Sequence, residues 1–104
     1  MSRVVITGAG TINSLGHNVA TTLQAMRDGN CGIGPLDVRD IDRLSVQIGA
    51  QVKEYNPDQA FNRQQLCLYD RFTQFTLLAA KEAILQSGLE FTGLLAAKSG
   101  VVLG

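Results

Sequence analysis

The chain has no tryptophan, a single histidine and no excess of charge, since nine Lys and Arg residues balance nine Asp and Glu residues. Proteins that bind nucleic acids usually carry a basic surface, often with aromatic side chains that stack on bases. A neutral chain also has little attraction for an anionic membrane surface. We therefore expect neither a nucleic-acid partner nor a membrane partner.

Long hydrophobic runs are also missing. No apolar stretch approaches the roughly 20 residues that a membrane-spanning helix needs. The apolar run that follows Met1-Ser2-Arg3 is too short for the core of a signal peptide. The default expectation is a cytoplasmic protein.

Cysteines are few. Cys31 and Cys67 lie far apart in the sequence, with no C-x-x-C pair and no cluster of histidines. This spacing predicts neither a disulfide framework nor a zinc site. We expect two free thiols, no metal ion and no cofactor.

Hydrophobic patterning predicts an α/β fold with one small core. Val4-Val5-Ile6 is a continuous apolar run, closed by Gly8, and such runs are typical of strands covered on both faces. Val101-Val102-Leu103 repeats this pattern. Because the chain stops inside that second run, we expect it to be the front part of a longer protein.

Two helices are predicted between these strands. Apolar residues at helical spacing, with Asn18 as N-cap and Gly29 as the stop, predict a first helix of about 11 residues. A wide apolar stripe predicts a longer, largely buried helix from Leu68 to Gln86, ended by Ser87-Gly88. The predicted order is therefore strand, helix, connecting region, helix, strand. We call the connecting region between the two predicted helices the excursion. Within the excursion we predict a loop over 30–43, a peripheral strand over 46–52 and a short helix opened by Asn56-Pro57-Asp58.

The glycine-rich turn after the first run invites comparison with the dinucleotide-binding fingerprint. Gly8 and Gly10 are present, but Asn13 stands where the third glycine would be. We favour a glycine-lined turn needed for backbone geometry. A nucleotide-binding domain that holds the phosphate through Gly8–Gly16 stays open as an alternative.

Candidates for catalysis are scarce. His17 is the only histidine and is more typical of a polar loop residue than of an acid or base. Cys67 is expected at a helix start, where thiols can be activated, yet no base accompanies it. Cys31 is typical of a small turn residue. We therefore assign no catalytic residue within the chain.

Six segments in register, covering nearly the whole chain, resemble the N-terminal segment of the β-ketoacyl-carrier-protein synthases of the condensing-enzyme family, most closely the type II enzymes. They are Val4–Gly10, Leu15-Gly16, Gly29–Ile33, Asp70–Phe75, Ala79-Ala80 and Ser87-Gly88-Leu89. The resemblance implies a thiolase-like fold with two related halves. This chain would supply only the N-terminal part of the first half.

The resemblance also implies an activity. Members of the family condense acyl and malonyl thioesters carried by acyl carrier protein, with loss of CO₂, using a cysteine nucleophile, two histidines and an oxyanion hole. In the family those residues lie beyond the position of Gly104. The chain alone is therefore expected to be inactive, and the parent protein is expected to be a homodimer.

The chain departs from the family pattern at a segment that is often basic and helps to dock the acidic carrier protein. Only Arg63 is charged in the matching stretch, Arg63–Leu68. Carrier docking through this face is therefore in question. The parent could be a divergent synthase, a polyketide-type homologue or a subunit like a chain-length factor that lacks the nucleophile. A free-standing, non-catalytic module that depends on a partner is a further alternative.

Overall fold

The computed structural model describes residues 2–104, which fold into four α-helices and one small antiparallel sheet. The sheet pairs Gly34 with Gly49 and Pro35 with Ile48. No helix in the described residues is long and apolar enough to cross a membrane. The elements are α1 (Val19–Arg27), β1 (Gly34–Pro35), β2 (Ile48–Gly49), α2 (Arg63–Leu68), α3 (Arg71–Ser87) and α4 (Gly93–Ala97), with short 3₁₀ turns at Ile41–Arg43 and Pro57–Gln59.

The first predicted helix is confirmed as α1, although it is nine residues long. The Asn18 side chain accepts a hydrogen bond from the backbone N–H of Thr21 at 2.8 Å, as an N-cap does. After Asp28 the chain leaves the helix through Gly29, whose φ of 73° lies in the left-handed region that glycine tolerates. Both ends of α1 are thus set by local sequence signals.

The second predicted helix is interrupted. The chain leaves α2 at Leu68, and Asp70 then caps a new helix, α3, by accepting from the backbone N–H and the hydroxyl of Thr73 at 3.2 and 2.7 Å. A capping box between Asn62 and Gln65 starts α2, which the sequence prediction missed. The predicted stop is confirmed, because Gly88 ends α3 with a φ of 68°.

The excursion between α1 and α2 differs partly from the prediction. The strand expected over 46–52 contains only the two residues of β2, and its partner β1 lies in the stretch that was predicted to be loop. The short helix predicted at Asn56-Pro57-Asp58 is confirmed as the 3₁₀ turn Pro57–Gln59. Helix α4 lies between the stop at Ser87-Gly88 and the apolar run at Val101–Leu103, where the sequence analysis predicted no helix or strand.

The two predicted buried strands do not form a sheet within the described residues. Val4, Ile6 and Val102 are 97%, 91% and 98% exposed. A β-strand needs a neighbouring backbone for its hydrogen bonds, and no segment of 2–104 supplies one to either run. The prediction of buried strands is therefore wrong for this chain as it stands.

Helix α3 is also less buried than predicted. Gln74 is its one buried residue, at 6% exposure, whereas Phe72 is 72% exposed. The radius of gyration, 17.1 Å, exceeds the roughly 13 Å expected of a compact chain of this length. The sequence of α3 therefore contains the predicted apolar stripe, but the rest of the described chain covers that stripe only partly.

Candidate functional site

The glycine-rich segment packs directly onto the backbone of α3. A β-carbon built on Gly8 would collide with the carbonyl oxygen of Ala83, and one built on Gly10 would collide with that of Ala79. Only glycine allows the two backbones to approach this closely. This geometry supports the interpretation that the glycines are needed for backbone packing.

Two side chains of α3 hold the same segment by its backbone amides. Gln86 Oε1 accepts from the N–H of Ala9 at 2.6 Å, and Glu82 Oε1 accepts from the N–H of Thr11 at 3.0 Å. The second carboxylate oxygen of Glu82 accepts from the N–H of Val19, the first residue of α1, at 2.9 Å. The half-buried Glu82 therefore joins the glycine segment, α1 and α3 at one point.

Asn13 organises the turn that follows. Its Nδ2 donates to the hydroxyls of Thr11 and Thr22, both at 3.0 Å. Its Oδ1 accepts from the N–H of Leu15 at 2.8 Å and from that of Gly16 at 3.3 Å. Asn13, which stands where the nucleotide fingerprint has its third glycine, therefore stabilises this turn through its side-chain hydrogen bonds.

This arrangement is unfavourable for a phosphate. The amides of Ala9 and Thr11 are already hydrogen-bonded to α3, and the carboxylate of Glu82 would repel an anion at this point. A phosphate loop requires free N–H groups that converge on the ligand. The geometry therefore disfavours nucleotide binding by Gly8–Gly16.

His17 is exposed at the edge of a groove of about 540 Å³ beside the start of α1. Its Nε2 lies 2.5 Å from the carbonyl oxygen of Lys53. Because a carbonyl can only accept, Nε2 carries the hydrogen in this contact. The ring also meets Tyr55 edge-on, with centroids 6.4 Å apart. In this position His17 connects the excursion to α1.

Both cysteines are free thiols, as predicted, and both are exposed. Cys67 is the penultimate residue of α2, so its expected place at a helix start is wrong. The break at Tyr69-Asp70 causes this difference, because it separates Cys67 from α3. Among the described residues, neither thiol hydrogen-bonds to His17, and no group of three or more acidic, His or Cys side chains could hold a metal ion.

A second polar cluster centres on the buried Gln74. The hydroxyl of Tyr55 donates to Gln74 Oε1 at 2.6 Å, and Gln74 Nε2 donates to the carbonyl of Tyr69 at 3.0 Å. The Tyr55 ring contacts Phe75 edge-on, with centroids 4.9 Å apart, and the guanidinium of Arg71 lies over both rings. Burial raises the pKa of Tyr55, and the nearby charge of Arg71 offsets part of that rise.

Glu82 and Gln74 were not among the candidate residues predicted from the sequence. They lie two helical turns apart on α3, so they share a face of the helix. A polar residue on a side of a helix that is expected to pack is the signal that could have identified both.

Residues 1–104 match the family profile described as "Beta-ketoacyl synthase, N-terminal domain" over their whole length. The chain belongs to the β-ketoacyl synthase family. The resemblance seen in the sequence is thereby confirmed. Membership of the family implies a thiolase-like fold, of which the described residues form helices and one two-stranded sheet.

Individual relatives of this β-ketoacyl synthase segment agree with the profile. It is 37% identical to nodulation protein E of Rhizobium sp. (strain N33). It is 34% and 32% identical to proteins named 3-oxoacyl-[acyl-carrier-protein] synthase 2 from Coxiella burnetii and Staphylococcus aureus (strain N315). Each match covers 98% of this chain and 25% of the relative. The chain therefore spans about a quarter of the length of these relatives.

Within this β-ketoacyl synthase segment, the geometry provides scaffolding. Hydrogen bonds connect segments that are distant in the chain. They are made by Glu82 and Gln86 to the glycine segment, by Asn13 to Thr22, and by Tyr55 to Gln74. None of these side chains is arranged as a nucleophile with a neighbouring base.

Proposed function

We propose that residues 1–104 form the N-terminal part of the N-terminal domain of a longer β-ketoacyl-[acyl-carrier-protein] synthase, ending before its catalytic residues. The observation that carries this proposal is the match to 3-oxoacyl-[acyl-carrier-protein] synthase 2 proteins over 98% of the chain. The exposure of Val4, Ile6 and Val102 supports it, because such apolar surface is normally covered by more protein.

The proposed reaction joins two thioesters. A cysteine outside this chain accepts the acyl group from acyl carrier protein, releasing the carrier thiol. Loss of CO₂ from malonyl carrier protein then produces a carbanion that attacks the acyl-enzyme and displaces the cysteine thiolate. The products are a 3-oxoacyl carrier protein, CO₂ and the free carrier. In this scheme the described residues contribute the scaffold of the first half and no reacting group.

The test compares the whole protein with residues 1–104 alone. Each is incubated with acyl and malonyl carrier protein, and 3-oxoacyl carrier protein is measured by mass spectrometry. We expect product with the whole protein and none with the chain alone. Product from the chain alone would contradict the proposed absence of catalytic residues. An inactive whole protein would instead favour a non-catalytic subunit, like a chain-length factor.

Recognition of the carrier protein is a finer part of the proposal. The exposed face of α2 carries Arg63 as its only charge, beside Gln64, Cys67 and Leu68. A single exposed charge contributes little to binding an acidic partner. We expect Arg63→Ala to change KM for the acyl carrier protein less than twofold, with Arg27→Ala, in α1, as the matched control. A large increase in KM for Arg63→Ala alone would place carrier docking on α2.

A further inference from the structure

Residues 32–52, which we call the strap, form a hydrogen-bonded unit of their own. The ladder between β1 and β2 closes it, and the N–H of Leu36 donates to the carbonyl of Gln47 at 2.9 Å. Gln51 binds Asp37 twice, accepting from its N–H at 2.7 Å and donating to its carbonyl at 3.2 Å. Within the described part of the chain, these residues hydrogen-bond only to one another.

The strap connects to the helices through the next three residues, Lys53, Glu54 and Tyr55, which we call the latch. On one side the carbonyl of Lys53 accepts from His17 at the start of α1. On the other side the hydroxyl of Tyr55 donates to the buried Gln74 of α3. The latch thus crosses from one helix to the other.

Glu54, in the middle of the latch, has an unusual backbone. Its φ of 54° lies in the left-handed region, which is costly for a residue with a β-carbon. Such a conformation persists only where the surrounding contacts enforce it. Here the enforcing contacts are the hydrogen bonds of its two neighbours.

The latch also separates two grooves. Lys53 and Glu54 line both the groove of about 540 Å³ beside His17 and a second groove of about 400 Å³ that extends to Arg71. We propose that the strap opens as one unit when the latch releases, which relaxes Glu54 and joins the two grooves. This inference does not depend on the proposed condensing activity.

The opening needs few contacts to break. Release breaks the hydrogen bonds of Lys53 and Tyr55, the contacts of the Tyr55 ring with Phe75, His17 and Arg71, and the close approach of Gly32 to Ser14. A two-stranded ladder on its own is only marginally stable, so the hydrogen bonds inside the released strap open readily to water. Segments held by so few contacts open at lower free energy than the rest of a structure, and amide exchange detects this. The strap should therefore exchange faster than α3.

Hydrogen exchange on the whole protein tests the latch. Tyr55→Phe keeps the ring and removes the hydroxyl that donates to Gln74. We expect amide exchange in the strap to become about fivefold faster, the effect of one lost hydrogen bond, with α3 unchanged. The matched control is Tyr69→Phe, whose hydroxyl makes no hydrogen bond in the described structure. Unchanged strap exchange in Tyr55→Phe, or equal acceleration throughout α1 and α3, would overturn the proposal.

A second pair of variants tests the strain at Glu54. Glu54→Gly and Glu54→Ala remove the same charge, but only glycine adopts the left-handed conformation freely. We expect the strap to exchange about fivefold more slowly in Glu54→Gly than in Glu54→Ala. Equal rates in the two variants would overturn the role assigned to Glu54.

Discussion

Glu82, in α3, connects three segments of the chain. Its two carboxylate oxygens accept hydrogen bonds from backbone amides of the glycine segment and of α1. A carboxylate that accepts two backbone N–H groups forms charge-assisted hydrogen bonds, which are stronger than neutral ones. Its loss would leave both amides without a partner. Glu82 is therefore the side chain that connects all three segments at this junction, beside the contacts of Gln86 and Asn13.

We expect Glu82→Ala to lower the free energy of unfolding by about 2 kcal/mol. Glu82→Gln keeps one acceptor oxygen and should cost about half as much. Urea denaturation provides the measurement, with Glu90→Ala, an exposed residue outside the junction, as the control. A Glu82→Ala protein as stable as the Glu90→Ala protein would show that the junction is held by other contacts.

Gly10 provides a second residue-scale prediction. Because an added β-carbon would collide with the carbonyl of Ala79, Gly10→Ala should push the segment away from α3 and cost about 3 kcal/mol. Gly34→Ala is the control, since its β-carbon would meet no atom within 4 Å. It should change stability by less than about 0.5 kcal/mol. Similar costs for the two substitutions would contradict the close approach.

The hydroxyl of Tyr55 should lose its proton at a higher pH than the hydroxyl of an ordinary tyrosine does. Burial disfavours its phenolate, so its pKa lies above the ordinary value of 10.0, despite the opposing charge of Arg71. The difference in tyrosinate absorbance between the wild type and Tyr55→Phe should therefore have its midpoint above pH 10.0. Arg71→Ala should raise that midpoint further. A midpoint at or below 10.0 would contradict the burial of this hydroxyl.

The same shift determines a pH dependence of stability. A group whose pKa is raised on folding contributes stability that is fully present below the unfolded pKa and is lost as the pH rises through the folded pKa. The contribution of Tyr55 is therefore intact below about pH 10 and disappears above it, when the hydroxyl can no longer donate to Gln74.

At the scale of elements, local signals predicted helix ends better than helix continuity. The predicted cap and stop residues of the helices are confirmed, namely Asn18, Gly29 and Gly88. They could be predicted because a cap involves residues that are only three or four positions apart. The break before α3 was missed because the apolar stripe continues across it. The Asn62 and Gln65 capping box was a signal in the sequence that could have revealed α2.

The cap of α3 can be tested directly. Asp70→Ala removes the acceptor for the N–H and hydroxyl of Thr73 and should cost about 1 kcal/mol of stability. Asp70→Asn keeps an acceptor oxygen and should cost much less. Thermal unfolding of the two variants side by side is the measurement. Equal losses would indicate that the charge of Asp70, rather than its capping bond, is what matters.

At the scale of the whole molecule, the exposed apolar side chains decide the behaviour of the chain alone. Val4, Ile6 and Val102 are almost fully exposed, and such surfaces associate in water. Residues 1–104 produced alone should therefore elute with a mass above 11.2 kDa in light-scattering chromatography. Val4→Lys combined with Val102→Lys should shift the mass toward the monomer. A monomeric wild-type chain would contradict this expectation.

The sequence by itself determined the family, the ends of α1, the end of α3 and the 3₁₀ turn at Pro57, because each depends on neighbouring residues or on motifs in a fixed order. Only the tertiary structure decided the role of Gly10 and Glu82, since their partners lie about 70 positions away in the chain. It also decided that the runs at Val4–Ile6 and Val101–Leu103 stay unpaired here. A strand is completed by a neighbouring backbone, and no apolar pattern specifies where that backbone comes from.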